Sequence, residues 1–377
     1  MYTEMTVKNP ATLTVSNASA LPNEASCEKK ELPKIISLFC GAGGLDWGFH
    51  KEGFEIPVAI DISNAAIRTH KKNFPNTHSV AADLIKLQPE GVFNIVADKV
   101  EAKARIGLIG GPPCQGFSRA NTKATIDDPR NQLPKLYLDI VKRLQSDYLV
   151  EFVVLENVLG IRDKKHAPTY QALIQGLEDL GFSITEKELC ALDFGVPQNR
   201  RRVVLSALRS GQGYSEVRPE KATGLKTVQE AIGGLVEPAF FNRNLNPNDI
   251  PLHPNHWTMN PKSPRFMDPD GDHPKGRSFK RLVWTDASPT IAFGHREIHI
   301  HPDGRRRLSI YEAMRLQSFP PEFILEGNLS EQVEQVSNAV PPLLGKSIAA
   351  AVKKSLDVEG IESEKPSQII SLPDYIM

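Results

Sequence analysis

The sequence predicts an α/β protein with a parallel sheet, helices on both faces of that sheet, and a smaller loop-rich module. Three observations point to this fold. Short apolar runs alternate with amphipathic stretches over the first half of the chain, as buried parallel strands and crossover helices do. A glycine-rich turn follows the first apolar run. Pro, Asn, Asp and His then crowd a weakly periodic region from about residue 208 to residue 287.

The elements follow in chain order. Strands are predicted at residues 35–39, 56–60, 80–82, 106–109, 152–155 and 203–205. Helices are predicted at residues 64–73, 136–145, 169–180, 308–317 and 341–356. Residues 1–33 are polar and aperiodic, so a flexible tail is expected there. These elements predict a sheet domain at 34–206, a loop-rich module at 207–320 and a segment at 321–377 that completes the sheet domain.

The composition restricts the compartment and the partners. The chain carries 45 basic and 45 acidic residues, so a polyanionic partner would need a local basic patch. Its four cysteines lie far apart, which argues against a structural zinc site and a disulfide scaffold. No apolar run is long enough to span a membrane, and the N-terminus lacks a signal-peptide pattern. We expect a cytoplasmic protein without metal or membrane association.

One cysteine lies in a loop of restricted conformation. Cys114 belongs to GGPPCQGFS at residues 110–118, directly after the apolar run 106–109. The two prolines fix φ and remove two N–H donors, and the glycines let a ligand approach the backbone. A nucleophile at a strand end and a buried structural cysteine both fit this pattern, because reactivity depends on the environment of the thiol.

The turn FCGAGGL at residues 39–45 follows the first strand and opens a helix. Backbone N–H groups at such a turn suit a nucleotide or an amino-acid carboxylate. Asp61 and Asp83 end the next two predicted strands, and an acid at Asp61 can accept hydrogen bonds from ribose hydroxyls. Asp83 fits a helix N-cap equally well. This edge of the sheet therefore predicts an adenosine-containing ligand, either NAD or S-adenosylmethionine.

Six motifs occur along the chain in a definite order. They are SLFCGAGGLDWGF at 37–49, GGPPCQGFS at 110–118, ENV at 156–158, QNRRR at 198–202, RLSIYEAMRLQSFP at 307–320 and QVSNAVP at 335–341. Together they closely resemble the DNA (cytosine-5)-methyltransferase family, over residues 34–206 and 289–356. The resemblance implies a Rossmann-like S-adenosylmethionine-dependent methyltransferase domain. It also implies that the loop-rich module at 207–320 is the target-recognition domain.

The resemblance implies a role for each of four catalytic residues. The thiolate of Cys114 would add to C6 of cytosine, which makes C5 able to attack a sulfonium methyl group. Glu156 would hold N3 and the exocyclic amine, Arg202 would contact O2 and steady Glu156, and Arg200 would add a second basic contact. The target base would have to leave the duplex stack to reach these groups.

The resemblance also implies two sets of binding residues. The cofactor residues would be Phe39, Gly41, Gly43, Asp61, Asp83, Pro112, Asn338 and Val340. The DNA-binding residues would be Gln115, Ser118, Arg119, Arg277, Lys280, Arg281 and Arg296. Many relatives have Glu at the Asp61 position, so the ribose contact could be less direct here. The implied substrate is a short specific sequence of double-stranded DNA, methylated by a monomer that functions beside a restriction endonuclease.

The recognition module carries a local excess of positive charge. Residues 274–307 contain eight Lys or Arg and three acidic residues, which is the patch that DNA binding requires in a neutral chain. His295, His299 and His301 lie in the same segment without a Cys or acid at ligand spacing. Contact with phosphate is therefore expected from these histidines rather than metal binding.

Three other functions share part of the pattern. A tRNA cytosine-5 methyltransferase has the same core motifs, but such relatives tend to carry a Cys-Phe-Thr signature, and this chain has no Cys after Cys190. A catalytically silent DNA-binding relative would lack reactive residues that are all present here. A nicotinamide enzyme would need a hydride-transfer site, for which no residues stand out.

Overall fold

A seven-stranded sheet forms the centre of the protein, in the order β3-β2-β1-β4-β5-β8-β6. The computed structural model describes residues 31–112, 132–271, 280–290 and 299–356. In chain order the strands are β1 (Lys34–Leu38), β2 (Val58–Asp61), β3 (His78–Ala81), β4 (Arg105–Gly110), β5 (Leu149–Asn157), β6 (Phe182–Cys190), β7 (Gln198–Asn199), β8 (Arg201–Arg209), β9 (Ala239–Phe240), β10 (Trp257–Thr258) and β11 (Ser288–Pro289). The helices are α1 (Gly44–Lys51), α2 (Asn64–Asn73), α3 (Leu84–Ala97), α4 (Leu133–Gln145), α5 (Ala167–Asp179), α6 (Val228–Ile232), α7 (Ile310–Leu316), α8 (Leu329–Asn338) and α9 (Pro342–Leu356).

The sheet changes direction between β1 and β4. From β1 the chain moves outward through β2 to β3, and it then returns to place β4 on the other side of β1. The two strands are parallel, with Leu38 opposite Gly110 at their carboxyl ends. In open α/β sheets, a crevice for ligands forms where the strand order reverses in this way. The fold therefore predicts a binding site beyond Leu38 and Gly110.

Both faces of the sheet are covered by helices, because alternate side chains of the central strands enter two different clusters. Ile36 and Leu108 pack with α3, α4 and α5 on one face. Ile35 and Ile109 pack on the other face with residues of α1 and α9. Strands buried on both faces read as continuous apolar runs, which explains why they could be predicted.

A third apolar cluster joins the recognition module to the rest of the chain. Val228 and Ile232 of α6 pack with α7, α8 and Phe74 of the α2 end. Within the described part of residues 207–299, the regular elements are short, since α6 has five residues and β9, β10 and β11 have two each. Residues from Leu32 onward form one compact unit, so the boundary between residues 206 and 207 stays a prediction.

The fold class is confirmed, and most predicted elements are present at nearly the predicted positions. The helices α3, α6 and α8 were not predicted, and two details of the sheet were wrong. The strand predicted at 203–205 is antiparallel to both of its neighbours, β5 and β6, so the sheet is mixed. The edge strand β6 was not predicted, because only Phe182 is buried, the other residues are partly or fully exposed, and the strand contains no continuous apolar run. Among the described helices, none is both long and apolar enough to span a bilayer.

Candidate active site

A cavity of about 280 Å³ lies at the carboxyl ends of β1, β2, β4 and β5. The β1–α1 turn, the β7–β8 turn, α8 and the segment after α8 complete its walls. Nine of the predicted catalytic and cofactor residues line it: Phe39, Gly41, Asp61, Pro112, Glu156, Arg200, Arg202, Asn338 and Val340. The cavity thus brings together residues that are up to about 300 positions apart in the chain.

An ion pair forms the wall at the end of β5. Arg202 Nε lies 2.8 Å from Glu156 Oε1, and Glu156 is only 8% exposed. The two residues meet because β5 and β8 are antiparallel, with Asn157 opposite Val203. A buried carboxylate beside a fixed guanidinium can hold a polar heterocycle, since one group accepts hydrogen bonds and the other donates them.

Arg200 occupies a different part of the same wall. It is 2% exposed, and its Nη1 donates to the carbonyl oxygen of Ser337 at 3.1 Å. This contact ties the β7–β8 turn to the end of α8. A buried guanidinium in this position supports the cavity wall as well as contributing positive charge.

The chain enters its proposed catalytic loop beside Glu156. Asn157 Nδ2 donates to the carbonyl oxygen of Pro112 at 3.3 Å, and a Cβ at Gly111 would lie 3.5 Å from Glu156 Oε2. The β4 end is therefore anchored to the end of β5. The predicted nucleophile Cys114 and the predicted DNA contacts Gln115, Ser118, Arg119, Arg277 and Arg296 lie outside the described residues.

The β1–α1 turn has an unusual backbone that suits close approach by a ligand. Phe39, Gly41 and Gly43 have φ values of 56°, 55° and 93°. The N–H of Gly41 donates to Asp61 Oδ2 at 2.9 Å, and the N–H of Ser63 donates to Asp61 Oδ1 at 2.8 Å. Each carboxylate oxygen keeps a second lone pair for hydroxyl donors. Burial raises the pKa of Asp61, although the two backbone N–H groups oppose this effect.

The turn also touches the segment after α8. A Cβ on Gly44 would lie 2.2 Å from the carbonyl oxygen of Val340, so only glycine permits this contact. Val340 is buried, and Asn338 is exposed at the cavity. The close approach explains how residues near both ends of the described chain share one cavity wall.

Two predicted cofactor residues do not line this cavity. Gly43 caps α1, and a Cβ there would lie 2.5 Å from the ring of Phe74, so Gly43 shapes the turn. Asp83 caps α3 by accepting from the N–H of Ile85 at 3.0 Å. The alternative that the sequence left open for Asp83, a helix N-cap, is observed, and its cofactor contact stays a prediction.

Sequence reasoning missed several residues of the cavity wall, and two of them bear directly on ligand binding. Ile62 is 69% exposed and follows Asp61, where a flat apolar ligand group could pack on it. The exposed apolar residue at a strand end was a signal that could have identified it. Asp46 lines the cavity but is 1% exposed, and no sequence pattern indicated it.

Cys40 borders the cavity but is unsuited to nucleophilic attack. Burial raises the pKa of the Cys40 thiol well above its usual value, and the charges of Asp46 and Asp61 add to this effect. The reactive form of cysteine is the thiolate, so Cys40 stays protonated and inert at neutral pH. Among the described residues, Cys40 is therefore not an alternative to Cys114, the predicted nucleophile.

The basic patch of the recognition module is smaller than its charge count suggests. Arg306 is 3% exposed and pairs with both carboxylate oxygens of Glu312 at 2.9 Å. Arg281 Nη1 lies 2.8 Å from Asp270 Oδ1, whereas Lys280 is exposed. Arg281 would have to leave Asp270 to reach a phosphate, and its DNA contact stays a prediction.

Two of the three histidines predicted to contact phosphate are not at the surface, and the third, His295, lies outside the described residues. His299 and His301 are both buried, and burial lowers the pKa of His299 to about 4. The expectation that these two histidines contact phosphate is wrong, because they lie inside the module. Within the described ranges, no group of three or more His, Cys, Asp or Glu could hold a metal ion.

The strand order and the cavity at its reversal point define a Rossmann-like α/β enzyme. The family model for C-5 cytosine-specific DNA methylase matches residues 33–354, and the chain belongs to that family. It is a DNA (cytosine-5)-methyltransferase, as its sequence motifs predicted.

Individual relatives agree with this assignment. The chain is 33% identical to Type II methyltransferase M.MthTI of Methanothermobacter thermautotrophicus, over 87% of this chain and 98% of the relative. It is 31% identical to Type II methyltransferase M.NgoPII of Neisseria gonorrhoeae, over 86% and 96%. A solved structure of a prophage-encoded DNA modification methyltransferase of E. coli matches with a TM-score of 0.71 at 25% identity, over 87% of this chain and all of that chain. A DNMT2 mutant of Spodoptera frugiperda matches with a TM-score of 0.58 at 19% identity, which shows the fold alone.

Proposed function

We propose that the protein transfers the methyl group of S-adenosylmethionine to C5 of a cytosine within a specific short sequence of double-stranded DNA. The reaction runs through a covalent bond between Cys114 and C6 of a base that has been turned out of the helix. The observation that carries this proposal is the ion pair between the buried Glu156 and the partly buried Arg202, which shares one cavity with the β1–α1 turn and Asp61.

The residues present fit the methyl donor. Asp61 is fixed by two backbone N–H groups and can accept from ribose hydroxyls, while Phe39, Ile62 and Pro112 offer apolar surface. Asn338 and Val340 would close the far wall. When bound, S-adenosylmethionine supplies an electrophilic methyl group at the cavity.

The other end of the cavity fits cytosine. Attack of the Cys114 thiolate on C6 moves electron density toward N3 and O2 and makes C5 nucleophilic. Glu156 would accept from the exocyclic amine and hold a proton at N3, and the positive charge of Arg202 would stabilise O2. After transfer, a solvent base removes the C5 proton, the S–C6 bond breaks, and the thiolate and the aromatic ring are restored.

The chemistry requires the base to leave the stack, at a cost of roughly a few kcal/mol. We propose that residues 207–320 read the DNA sequence, with Lys280 and Arg281 on its phosphates. Relatives named Type II methyltransferases support a protective role in a restriction–modification system, beside an endonuclease of the same specificity. On this proposal the protein acts on DNA as a monomer in the cytoplasm, without metal.

Methyl transfer from tritium-labelled S-adenosylmethionine tests this function. Purified protein should label unmethylated duplex DNA and leave tRNA unlabelled. Cys114→Ala should abolish labelling while it preserves binding of DNA and of the methyl donor. Labelling of tRNA alone would show that tRNA rather than DNA is the substrate. Labelling by Cys114→Ala would show that Cys114 is not the nucleophile.

A further inference from the structure

A chain of buried polar side chains runs from the cavity wall to the third strand of the sheet. His70 Nε2 lies 3.1 Å from Asp46 Oδ1, and His70 Nδ1 lies 2.8 Å from Ser79 Oγ. Asp46 and His70 are 1% and 0% exposed, and Ser79 is also buried. The ring of His70 stacks on Phe74 with ring centres 4.3 Å apart. Three elements, α1, α2 and β3, thus hold one carboxylate in a fixed position.

The second oxygen of this carboxylate has no hydrogen-bond partner among the described residues. Asp46 Oδ2 is buried without a hydrogen bond to any described residue, while Asp46 itself lines the cavity. A carboxylate oxygen left unsatisfied in the interior costs more than it contributes. The arrangement is therefore suited to a donor that arrives with the ligand.

We infer that Asp46 is a positioning residue that receives the α-ammonium group of the methyl donor's amino-acid portion, an inference that rests on the proposed function. The donor carries two positive groups, but a sulfonium has no N–H or O–H to donate. The ammonium has three N–H donors. The ribose hydroxyls and the adenine amine are the other donors. Asp61 is placed for the hydroxyls, and Asp83 is the residue predicted for the amine.

The geometry also explains why His70 and Ser79 are present. His70 occupies Oδ1, so only Oδ2 is left for a further donor, and Ser79 sets the orientation of the imidazole ring. A carboxylate held in advance loses little conformational freedom on binding, which strengthens its contact with the ammonium. Ser79→Ala should therefore reduce the affinity that Asp46 contributes for the ammonium group, without removing a group from the cavity.

The test compares two ligands by calorimetry with the full-length protein. One is S-adenosylhomocysteine, which keeps the ammonium, and the other is the analogue in which hydrogen replaces the α-amino group. The wild type should bind S-adenosylhomocysteine at least about tenfold more tightly, as expected for a charged hydrogen bond. Asp46→Asn, which is isosteric, should bind the two ligands with nearly equal affinity.

Control variants separate this role from a structural one. Glu334→Gln removes an exposed acid from the same cavity, and it should retain the wild-type ratio of affinities. Ser79→Ala should give an intermediate ratio, and it provides a second variant if Asp46→Asn fails to fold. Loss of stability alone would not change the ratio between two ligands.

The outcomes distinguish this inference from the proposed function. If the wild type binds neither ligand, the methyl donor itself is wrong and the inference falls with it. If the wild type binds both ligands equally, or Asp46→Asn keeps the wild-type ratio, the inference is overturned and the proposed function stands. If Glu334→Gln, rather than Asp46→Asn, binds the two ligands with nearly equal affinity, the ammonium lies at Glu334 and the inference is also overturned.

Discussion

Replacing Gly44 by alanine should damage both the stability and the cofactor site. The added Cβ would lie 2.2 Å from the carbonyl oxygen of Val340 and 3.4 Å from the Cβ of Ala339. Real Cβ contacts do not fall below 3.0 Å, so the turn and the segment after α8 must separate by roughly 0.8 Å. The obstacle is backbone, which cannot rotate away as a side chain can.

The size of the effect follows from the cost of overpacking. Extra atoms in a well-packed interior cost about 1–3 kcal/mol, and here both displaced segments line the cavity. We expect the free energy of unfolding to fall by that amount in urea titrations. We also expect the affinity for S-adenosylmethionine, measured by calorimetry, to fall at least about tenfold, which corresponds to about 1.4 kcal/mol.

Gly91 provides the matched control within α3. The three atoms nearest to a Cβ there all belong to the Leu87 side chain, with its Cδ2 closest at 3.1 Å, and a side chain can adjust where backbone cannot. Alanine is the better helix former, so Gly91→Ala should be neutral or stabilising by up to about 1 kcal/mol. Wild-type stability and cofactor affinity in Gly44→Ala would refute the reasoning from the close contact with Val340.

Three further predictions concern ionisable side chains in the interior of the protein. Glu156→Gln should slow methyl transfer at least about 10²-fold in single-turnover assays, and a near-normal rate would assign proton donation to another group. Arg306→Ala leaves Glu312 buried without its guanidinium and should cost about 3–5 kcal/mol in urea unfolding, whereas a cost under about 1 kcal/mol would contradict the buried pair. Burial lowers the pKa of His253 and His299 to about 4. The unfolded chain binds more protons between pH 6.5 and 4, so stability should fall as the pH is lowered through that window, by at most about 1.4 kcal/mol per pH unit for each histidine. His299→Gln should reduce this slope, and an unchanged slope would exclude His299 as its source.

Local pattern was sufficient to predict much of the sheet and its helices. The predicted helix 64–73 coincides with α2, because Ser63 caps it and its buried residues recur with helical spacing. The continuous apolar runs likewise located the central strands, because these strands are buried on both faces of the sheet. The edge strand β6 escaped prediction because one of its faces meets solvent, and its polar residues resemble those of a loop.

The candidate site was predictable where a family motif named the residue. Glu156 and Arg202 are 46 positions apart, and only their motifs suggested that they meet, as the 2.8 Å ion pair now shows. Asp46 carries no such signal, because its role depends on the positions of His70 and Ser79 in the folded chain. Charge counting likewise placed Arg306 in a surface patch, although Glu312, six residues later, holds it inside the protein.

The central claim is sequence-specific methylation of cytosine at C5, and bisulfite sequencing tests it most directly. The gene would be expressed in a host that lacks cytosine methylation, and the host genome would then be converted and sequenced. The account predicts protected cytosines within one short repeated DNA sequence, and uniform conversion with Cys114→Ala. Uniform conversion with the folded wild-type protein would contradict the account.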